Sequence, residues 1–371
     1  MSKLSHNSHQ GRFVPQFPFM CGPRAALLVS MLLFLCVAKL PAQATSPSPV
    51  APPNTHEVVD EVGRTVRIPV IPTRIVSLAP SLTETVYALG LQDRLVGDTD
   101  YCDYPPDAQK KPKVGGAINP NLEQIASLRP DLVLVTKDIN RLETVRALDT
   151  LGIPSYSLGA AHSVDGIISS TERLADVLGA SHAGKIVGDN LHDRLATLQT
   201  KLSSVPPVHV LFIVWTEPLI SAGKDTFIAD ALRKSGALSI VDSTQDWPQV
   251  SLEEVVHLQP DYLVFAAEHT GAGTRAFEEL VNRPGWHLLD AVRNRHYAVI
   301  SDAVNRPAPR IVSAIEDLAH QLHPASFQDS PSPEKEIVPT NSTSPTHHPN
   351  AALGAPDSSS DACAMESACA H

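Results

Sequence analysis

Residues 121–136 read NLEQIASLRPDLVLVT, and residues 251–266 repeat the pattern as SLEEVVHLQPDYLVFA. In this alignment Glu123 matches Glu253, and Asp131 matches Asp261. In each copy, apolar residues at helical spacing precede a proline that the helix cannot cross, and five or six apolar residues follow it as a strand. Strands this apolar are typical of parallel sheets covered by helices on both faces. The repeat therefore predicts two similar α/β lobes.

Other segments supply the rest of each lobe. Residues 56–69 alternate around a glycine and predict a hairpin. Residues 74–90, RIVSLAPSLTETVYALG, predict a strand and then a helix that begins at Ser81 or Thr83, with Glu84 as a capping carboxylate in its first turn. Further strands are predicted in residues 152–159, 205–215 and 295–301. This alternation predicts an α/β fold of two doubly wound, Rossmann-like lobes.

The helical segment between the lobes predicts a linker with a cleft beside it. Gly179 interrupts this segment, and the second helix runs from Ser181 to about Leu202. At 1.5 Å per residue it is about 33 Å long, enough to run along a whole small domain. Two lobes held on one helix leave a ligand cleft between them.

The two ends of the chain differ from its body. A basic start, an apolar run at 25–38 and the small residues Ala42 and Ala44 predict an export signal cut after Ala44. A retained anchor is the alternative, although about 14 apolar residues fall short of the ~20 that span a bilayer. The predicted boundaries are a signal peptide at 1–44, a spacer and small hairpin at 45–73, an N-terminal lobe at 74–180, a linking helix at 181–205, a C-terminal lobe at 206–324 and a disordered tail at 325–371.

Charge and cysteine content exclude several classes. Residues 1–44 carry +4 and residues 326–371 carry −5, so the whole-chain charge of −11 leaves −10 on the body. An acidic body offers nothing to nucleic acid and favours basic partners. Cys102 is alone in the body, which excludes a fold held together by disulfides.

No enzyme motif stands out. The body has no dinucleotide-binding or serine-hydrolase signature, and Ser81 has no recognisable base partner. No catalytic residue and no resident metal or cofactor is predicted. One alternative stays open: His162 and His269, with a carboxylate, could form a metal site, as in a periplasmic metal-dependent enzyme.

Aromatic residues fall at the predicted loop tips. Tyr101 and Tyr104 lie in DTDYCDYPP (98–106), Trp215 follows a predicted strand, and Trp247 lies in STQDWPQVS (243–251). Loops at the carboxyl ends of parallel strands line the crevice where open α/β sheets bind ligands. These rings predict a flat, apolar ligand face.

The segments RIVSLAPSLTETVYALG, DYCDYPP, KPKVGGAINPNLEQIASLRPDLVL, LISAGKDTFIADALRKSGA, DWPQVSLEEV and RPAPRI together resemble one protein family. That family is the substrate-binding proteins of bacterial ABC importers whose lobes are joined by one helix, and the resemblance is greatest to the cobalamin binders. It covers about Arg74 to His323. It implies a monomeric periplasmic receptor that captures a corrinoid and delivers it to the permease subunits of an ABC transporter.

The resemblance also implies roles for individual residues. The positions that match the family's ligand contacts are Tyr101, Trp215, Trp247, Asp302 and Arg306. The carboxylates that would dock on permease arginines match Glu84 in the first lobe and Glu253 in the second, with Glu84 exposed on the lobe surface and Glu123 given no such role. Ala117 and Lys137 stand where the best-known cobalamin binders place tryptophans.

A receptor for haem or a ferric siderophore is the alternative within the same class. Siderophore sites in that family favour several cleft arginines. Arg306 and Arg310 are the obvious candidates in this chain.

Overall fold

The computed structural model describes residues 54–267 and 272–328. The predicted signal peptide, most of the spacer, nearly all of the tail and His269 lie outside the described residues.

The first lobe combines a hairpin with a parallel sheet. The hairpin strands β1 (Thr55–Val59) and β2 (Thr65–Pro69) pair antiparallel, as predicted. The sheet strands are β3 (Ile75–Ser77), β4 (Leu95–Gly97), β5 (Leu132–Thr136) and β6 (Ser155–Leu158). The helices are α1 (Pro80–Ala88), α2 (Leu122–Ser127), α3 (Leu142–Thr150) and α4 (Val164–Val177). All sheet pairs are parallel, in the order β4-β3-β5-β6.

The second lobe follows the 22-residue helix α5 (Ser181–Leu202). Its strands are β7 (Val208–Ile213), β8 (Trp215–Thr216), β9 (Leu219–Ile220), β10 (Ala237–Ser239), β11 (Tyr262–Ala267) and β12 (Tyr297–Ser301). Its helices are α6 (Phe227–Lys234), α7 (Leu252–Leu258), α8 (Ala272–Val281), α9 (Asp290–Arg293) and α10 (Ile311–Leu322). The parallel sheet has the order β10-β7-β11-β12, which matches the first sheet strand for strand.

The repeated sequence has the same structural role in both lobes. The residue before each proline, Arg129 or Gln259, ends its helix with a positive φ, of 46° or 44°. The aspartate after each proline anchors the neighbouring first strand: Asp131 accepts the backbone N–H of Arg74, and Asp261 accepts that of His209. The Pro–Asp pair therefore stops a helix and sets the register of a parallel pair.

Apolar side chains cover both faces of both sheets. All five residues of β5 are buried, as the near-continuous apolar run predicts. In the first lobe, Leu134 belongs to the core on one face and Val133 to the core on the other. In the second lobe, Phe212 and Leu211 divide in the same way. Each lobe is thus a complete three-layer sandwich.

A fifth core joins the lobes through the linking helix. Leu191, Leu195 and Leu198 lie on one face of α5 at helical spacing and pack with Ile168 of α4 and Ile315 of α10. This core packs helices of both lobes against the linking helix α5.

Within the two described ranges, no helix combines the length and apolar character needed to cross a bilayer.

The start of α1 differs from the prediction. The helix begins at Pro80 with Ala79 as its N-cap, and no side chain caps it. Proline is well suited to the first helical position, because its fixed φ matches the helix and its missing N–H costs no hydrogen bond there. Glu84 therefore lies beyond the first turn, and the predicted capping role is wrong.

Candidate functional site

Three segments that follow parallel strands meet between the lobes. Helix α1 follows β3, the loop at 98–113 follows β4, and residues 302–310 follow β12. The carboxyl ends of parallel strands lie along one edge of a sheet, which is where ligands bind in open α/β folds. The contact between these segments joins the two lobes.

Glu84 is the centre of this contact. Its carboxylate accepts two hydrogen bonds from Arg310, with Nε at 2.9 Å from Oε2 and Nη2 at 2.9 Å from Oε1, and a third from Arg306 Nη1 at 2.9 Å. Only 3% of the Glu84 side chain is exposed. The expectation that Glu84 is an exposed surface carboxylate is therefore wrong. It lies buried between the lobes.

Two further carboxylates complete the cluster. Asp103 of the first lobe accepts a 2.6 Å hydrogen bond from Arg306 Nη1, and Asp302 of the second lobe accepts a 2.9 Å bond from Arg310 Nη1. The guanidinium of Arg310 also lies over the ring of Tyr104, 4.0 Å from its centroid, in a cation–π contact. We call these five charged residues, Glu84, Asp103, Asp302, Arg306 and Arg310, the inter-lobe cluster.

The charges of the cluster stabilise one another. Burial alone raises the pKa of the Asp103 carboxyl, but the hydrogen bond and charge of Arg306 outweigh it, so the pKa lies below its ordinary value. Burial lowers the pKa of Arg306, but the hydrogen bonds to Asp103 and Glu84 outweigh it and the pKa is raised. Asp103 and Arg306 therefore both stay ionised throughout the neutral range.

An ion pair between the partly exposed Lys113 and the fully buried Asp98 fixes the loop that carries Tyr101, Asp103 and Tyr104. Lys113 Nζ donates to Asp98 Oδ1 at 2.9 Å and to the carbonyl oxygen of Cys102 at 3.0 Å. The Asp98 side chain has no solvent exposure. Tyr101 and Tyr104 are 39% and 42% exposed, so this fixed loop carries two partly exposed aromatic residues.

The buried carboxyl of Asp98 predicts a pH dependence of stability. Burial raises its pKa to about 6 from 3.8, although Lys113 opposes the shift. Between these values the folded protein holds a proton that the unfolded chain releases, so this group adds stability as pH falls from 7 to 4. We expect the free energy of unfolding of the wild type, minus that of Asp98→Asn, to rise by up to about 3 kcal/mol over this range. Denaturant titrations at pH 4 to 8 measure it, and a flat difference contradicts it.

Trp215 and Trp247 lie in and beside the short antiparallel sheet β8-β9 of the second lobe. Trp215 of β8 pairs with Ile220 of β9, and Ile220 also bridges Gln249, so the segment that carries Trp247 lies beside this two-stranded sheet. Both rings are partly buried. Trp215 Nε1 donates to the carbonyl oxygen of Glu217 at 2.8 Å, and Trp247 packs against the core of the lobe. Gly223 allows the close approach of this segment, since a Cβ there would lie 1.8 Å from the Gln245 carbonyl oxygen.

The structure thus brings Asp302, Arg306 and Glu84 together and places Tyr101 on the neighbouring loop. Sequence reasoning did not single out Asp103, and it named Arg310 only as a siderophore candidate. The spacing of four between Arg306 and Arg310 in RPAPRI is the signal that points to a shared target. The ligand contacts of Tyr101, Trp215, Trp247, Asp302 and Arg306 stay predictions.

Ala117 and Lys137, the first-lobe positions where the cobalamin binders are expected to carry tryptophan, differ in solvent exposure. Ala117 is buried, and its carbonyl oxygen accepts a hydrogen bond from Asn140, whereas Lys137 is exposed. Across residues 54–267 and 272–328, no three His, Cys, Asp or Glu side chains are grouped as a metal site. His269, one of the two histidines of the metal alternative, lies outside those ranges.

The helices of the sequence repeat carry exposed carboxylates. Glu253 of α7 is exposed, as is its match Glu123 of α2. The two helices begin alike: Asn121 and Ser251 each cap the helix by accepting the N–H of the residue three positions on. The two carboxylates therefore occupy equivalent places on the two lobes.

Comparison with known proteins identifies this architecture. A model of the family described as "Periplasmic binding protein" matches residues 75–303, more than half of the chain. An uncharacterised ABC transporter substrate-binding lipoprotein of Bacillus subtilis is 32% identical over 265 residues, which cover 70% of this chain and 82% of that protein. A vitamin B12-binding protein of Vibrio cholerae is 31% identical over 258 residues, which cover 69% of this chain and 91% of the relative.

Solved structures agree on the fold and differ in ligand. The crystal structure of a periplasmic vitamin B12-binding protein of Vibrio cholerae matches with a TM-score of 0.58 at 29% identity, covering 69% of this chain and 98% of that one. An apo periplasmic heme-binding protein from Roseiflexus sp. RS-1 matches with a TM-score of 0.60 at 26% identity, covering 68% and 98%. With its two lobes joined by one helix and its family match, the chain belongs to the periplasmic binding proteins, the substrate-binding components of ABC importers.

Proposed function

We propose that this chain is an exported receptor, with a signal peptide cut after Ala44, that captures a corrinoid (vitamin B12) between its lobes. It delivers the ligand to an ABC permease and performs no catalysis of its own. The observation that carries this proposal is the pair of partly exposed tyrosines, Tyr101 and Tyr104, on a loop fixed by the ion pair of Lys113 with the buried Asp98.

The chemistry of a corrinoid suits such a cleft. Its macrocycle is flat and largely apolar, and its edge carries amides that donate and accept hydrogen bonds. Exposed aromatic rings pack well against a flat ring, and a fixed loop lowers the ordering cost of binding. The vitamin B12-binding protein of Vibrio cholerae, 31% identical over 91% of its own length, supports the same choice.

Calorimetric titration of the purified chain with cyanocobalamin tests the proposal. We expect binding at micromolar ligand or tighter, and a loss of about tenfold for Tyr101→Ala, because an aromatic contact contributes about 0.5–1.5 kcal/mol. Tyr101→Phe is the matched control, since it keeps the ring and should keep the affinity. No heat of binding from the wild type at these concentrations would refute the proposal.

Haem is the second candidate, favoured by the match to the Roseiflexus heme-binding protein. Tyrosine can ligate haem iron, and Tyr101 and Tyr104 are both partly exposed on the loop that also carries Asp103 of the inter-lobe cluster. The same variants separate the two ligands. Tyr101→Phe would lower haem affinity by removing a phenolate ligand, whereas it would leave corrinoid affinity unchanged. Absorption difference spectra of added hemin provide the measurement.

We further propose that Glu123 and Glu253 are the contacts with the permease. Glu84, the position the family resemblance suggested for the first lobe, has 3% of its side chain exposed and is engaged by two arginines. Glu123 is exposed and matches Glu253 in the repeat, so it is the better first-lobe candidate. An acidic pair placed symmetrically on two lobes suits a dimeric permease with basic loops.

A further inference from the structure

We propose that Glu84 and Asp103 set the charge of the ligand that the cleft accepts, by neutralising Arg306 and Arg310 so that anionic ligands are disfavoured. The assignment deepens the proposed function and rests on it for the identity of the neutral ligand. Neither carboxylate needs to touch the ligand to have this effect.

The composition of the inter-lobe cluster is the first support. It holds three carboxylates and two guanidinium groups, so its net charge is −1. Glu84 bonds to both arginines, while Asp103 bonds to Arg306 and Asp302 to Arg310. Both positive charges that could attract an anion at this place are thus already compensated within the protein.

The layering of the cluster is the second support. The side chains of Arg306 and Arg310 are 18% and 17% exposed, whereas those of Asp103 and Asp302 are 48% and 33% exposed. The two aspartates are therefore the more exposed, outer layer, and the guanidinium groups and the Glu84 carboxylate lie beneath them. A ligand carboxylate approaching from solvent meets negative charge first.

The expected size of the effect follows from simple electrostatics. One unit charge a few ångströms away, at a dielectric between that of water and that of a protein surface, changes an affinity by about tenfold. Removing the charge of Glu84 or Asp103 should therefore raise the affinity for an anionic ligand by about tenfold relative to a neutral one. A purely structural role for the two residues would change both affinities alike.

Two ligand pairs, each of which differs mainly in the number of free carboxylates, provide the test. The first pair is cyanocobalamin and its monocarboxylic acid, in which one side-chain amide is hydrolysed. The second is hemin dimethyl ester and hemin, which carries two free propionates. Dissociation constants are measured by fluorescence titration for the wild type, Asp103→Asn and Glu84→Gln. Asp107→Asn is the matched control, because Asp107 lies on the same loop but pairs with Lys110.

We expect the wild type to bind the neutral member of a pair at least tenfold more tightly, and each cluster variant to reduce that ratio by about tenfold. Asp107→Asn should leave it unchanged. Ratios that stay at the wild-type value in Asp103→Asn overturn the inference, and this variant decides the matter even where Glu84→Gln does not fold. Changed porphyrin ratios without any cyanocobalamin binding would uphold charge selection and refute the proposed function.

Discussion

Replacing Glu84 by alanine is expected to lower the free energy of unfolding by about 3 kcal/mol and to loosen the contact between the lobes. The change leaves two partly buried guanidinium groups, Arg306 and Arg310, without the carboxylate that binds them both. Removing one partner of a buried ion pair costs about 3–5 kcal/mol, because the other charge stays desolvated. The lower end of that range applies here, since opening the lobes returns the arginines to water.

Glu123→Ala is the matched control, because Glu123 is an exposed glutamate at the start of a helix in the same lobe. Its expected effect on stability is small, within the range of ordinary surface substitutions. Chemical denaturation gives the stability, and small-angle scattering of the native protein reports the spread of the lobes. Equal stability and equal dimensions for both variants would show that the inter-lobe cluster does not hold the lobes together.

The architecture could be predicted because the decisive signals are local. The pattern of a helical segment, a proline and an apolar run predicts α2 followed by β5, and α7 followed by β11. Because the pattern occurs twice, it predicts two lobes. The structural reason for the Pro–Asp pair that recurs in both copies cannot be seen in the sequence. Asp131 and Asp261 bond to Arg74 and His209, which lie 57 and 52 positions earlier in the chain, and no periodicity reports such a pairing.

The candidate site was harder to predict because its partners are remote in sequence. Glu84 and Arg306 are 222 positions apart, and local helix signals made Glu84 an exposed capping residue. Its burial follows from the approach of two lobes, which a one-dimensional pattern does not encode. The place of Tyr101 in a loop after a strand could be predicted because it is a local property, whereas its role as a ligand contact is what the family resemblance implies.

The proposed contacts with the permease predict a second large effect, a loss of ligand uptake. The double change Glu123→Lys with Glu253→Lys is expected to abolish ligand uptake by cells, because two attractive contacts with basic permease loops become repulsive ones. Neither residue belongs to the inter-lobe cluster, and both are exposed, so stability and cyanocobalamin affinity should stay close to wild type. Uptake of labelled cyanocobalamin, beside calorimetry on the purified variant, separates transport from binding.

The repeat supplies a control for the same experiment. Glu254 is exposed and adjacent to Glu253, but its backbone N–H is the one that Ser251 caps, and its match in the first lobe is the neutral Gln124. A contact that uses both lobes symmetrically should depend on Glu253 more than on Glu254. Glu254→Lys alone is therefore expected to retain most of the uptake, whereas Glu253→Lys alone loses most of it. Full uptake by the double variant would place the docking surface elsewhere on the two lobes.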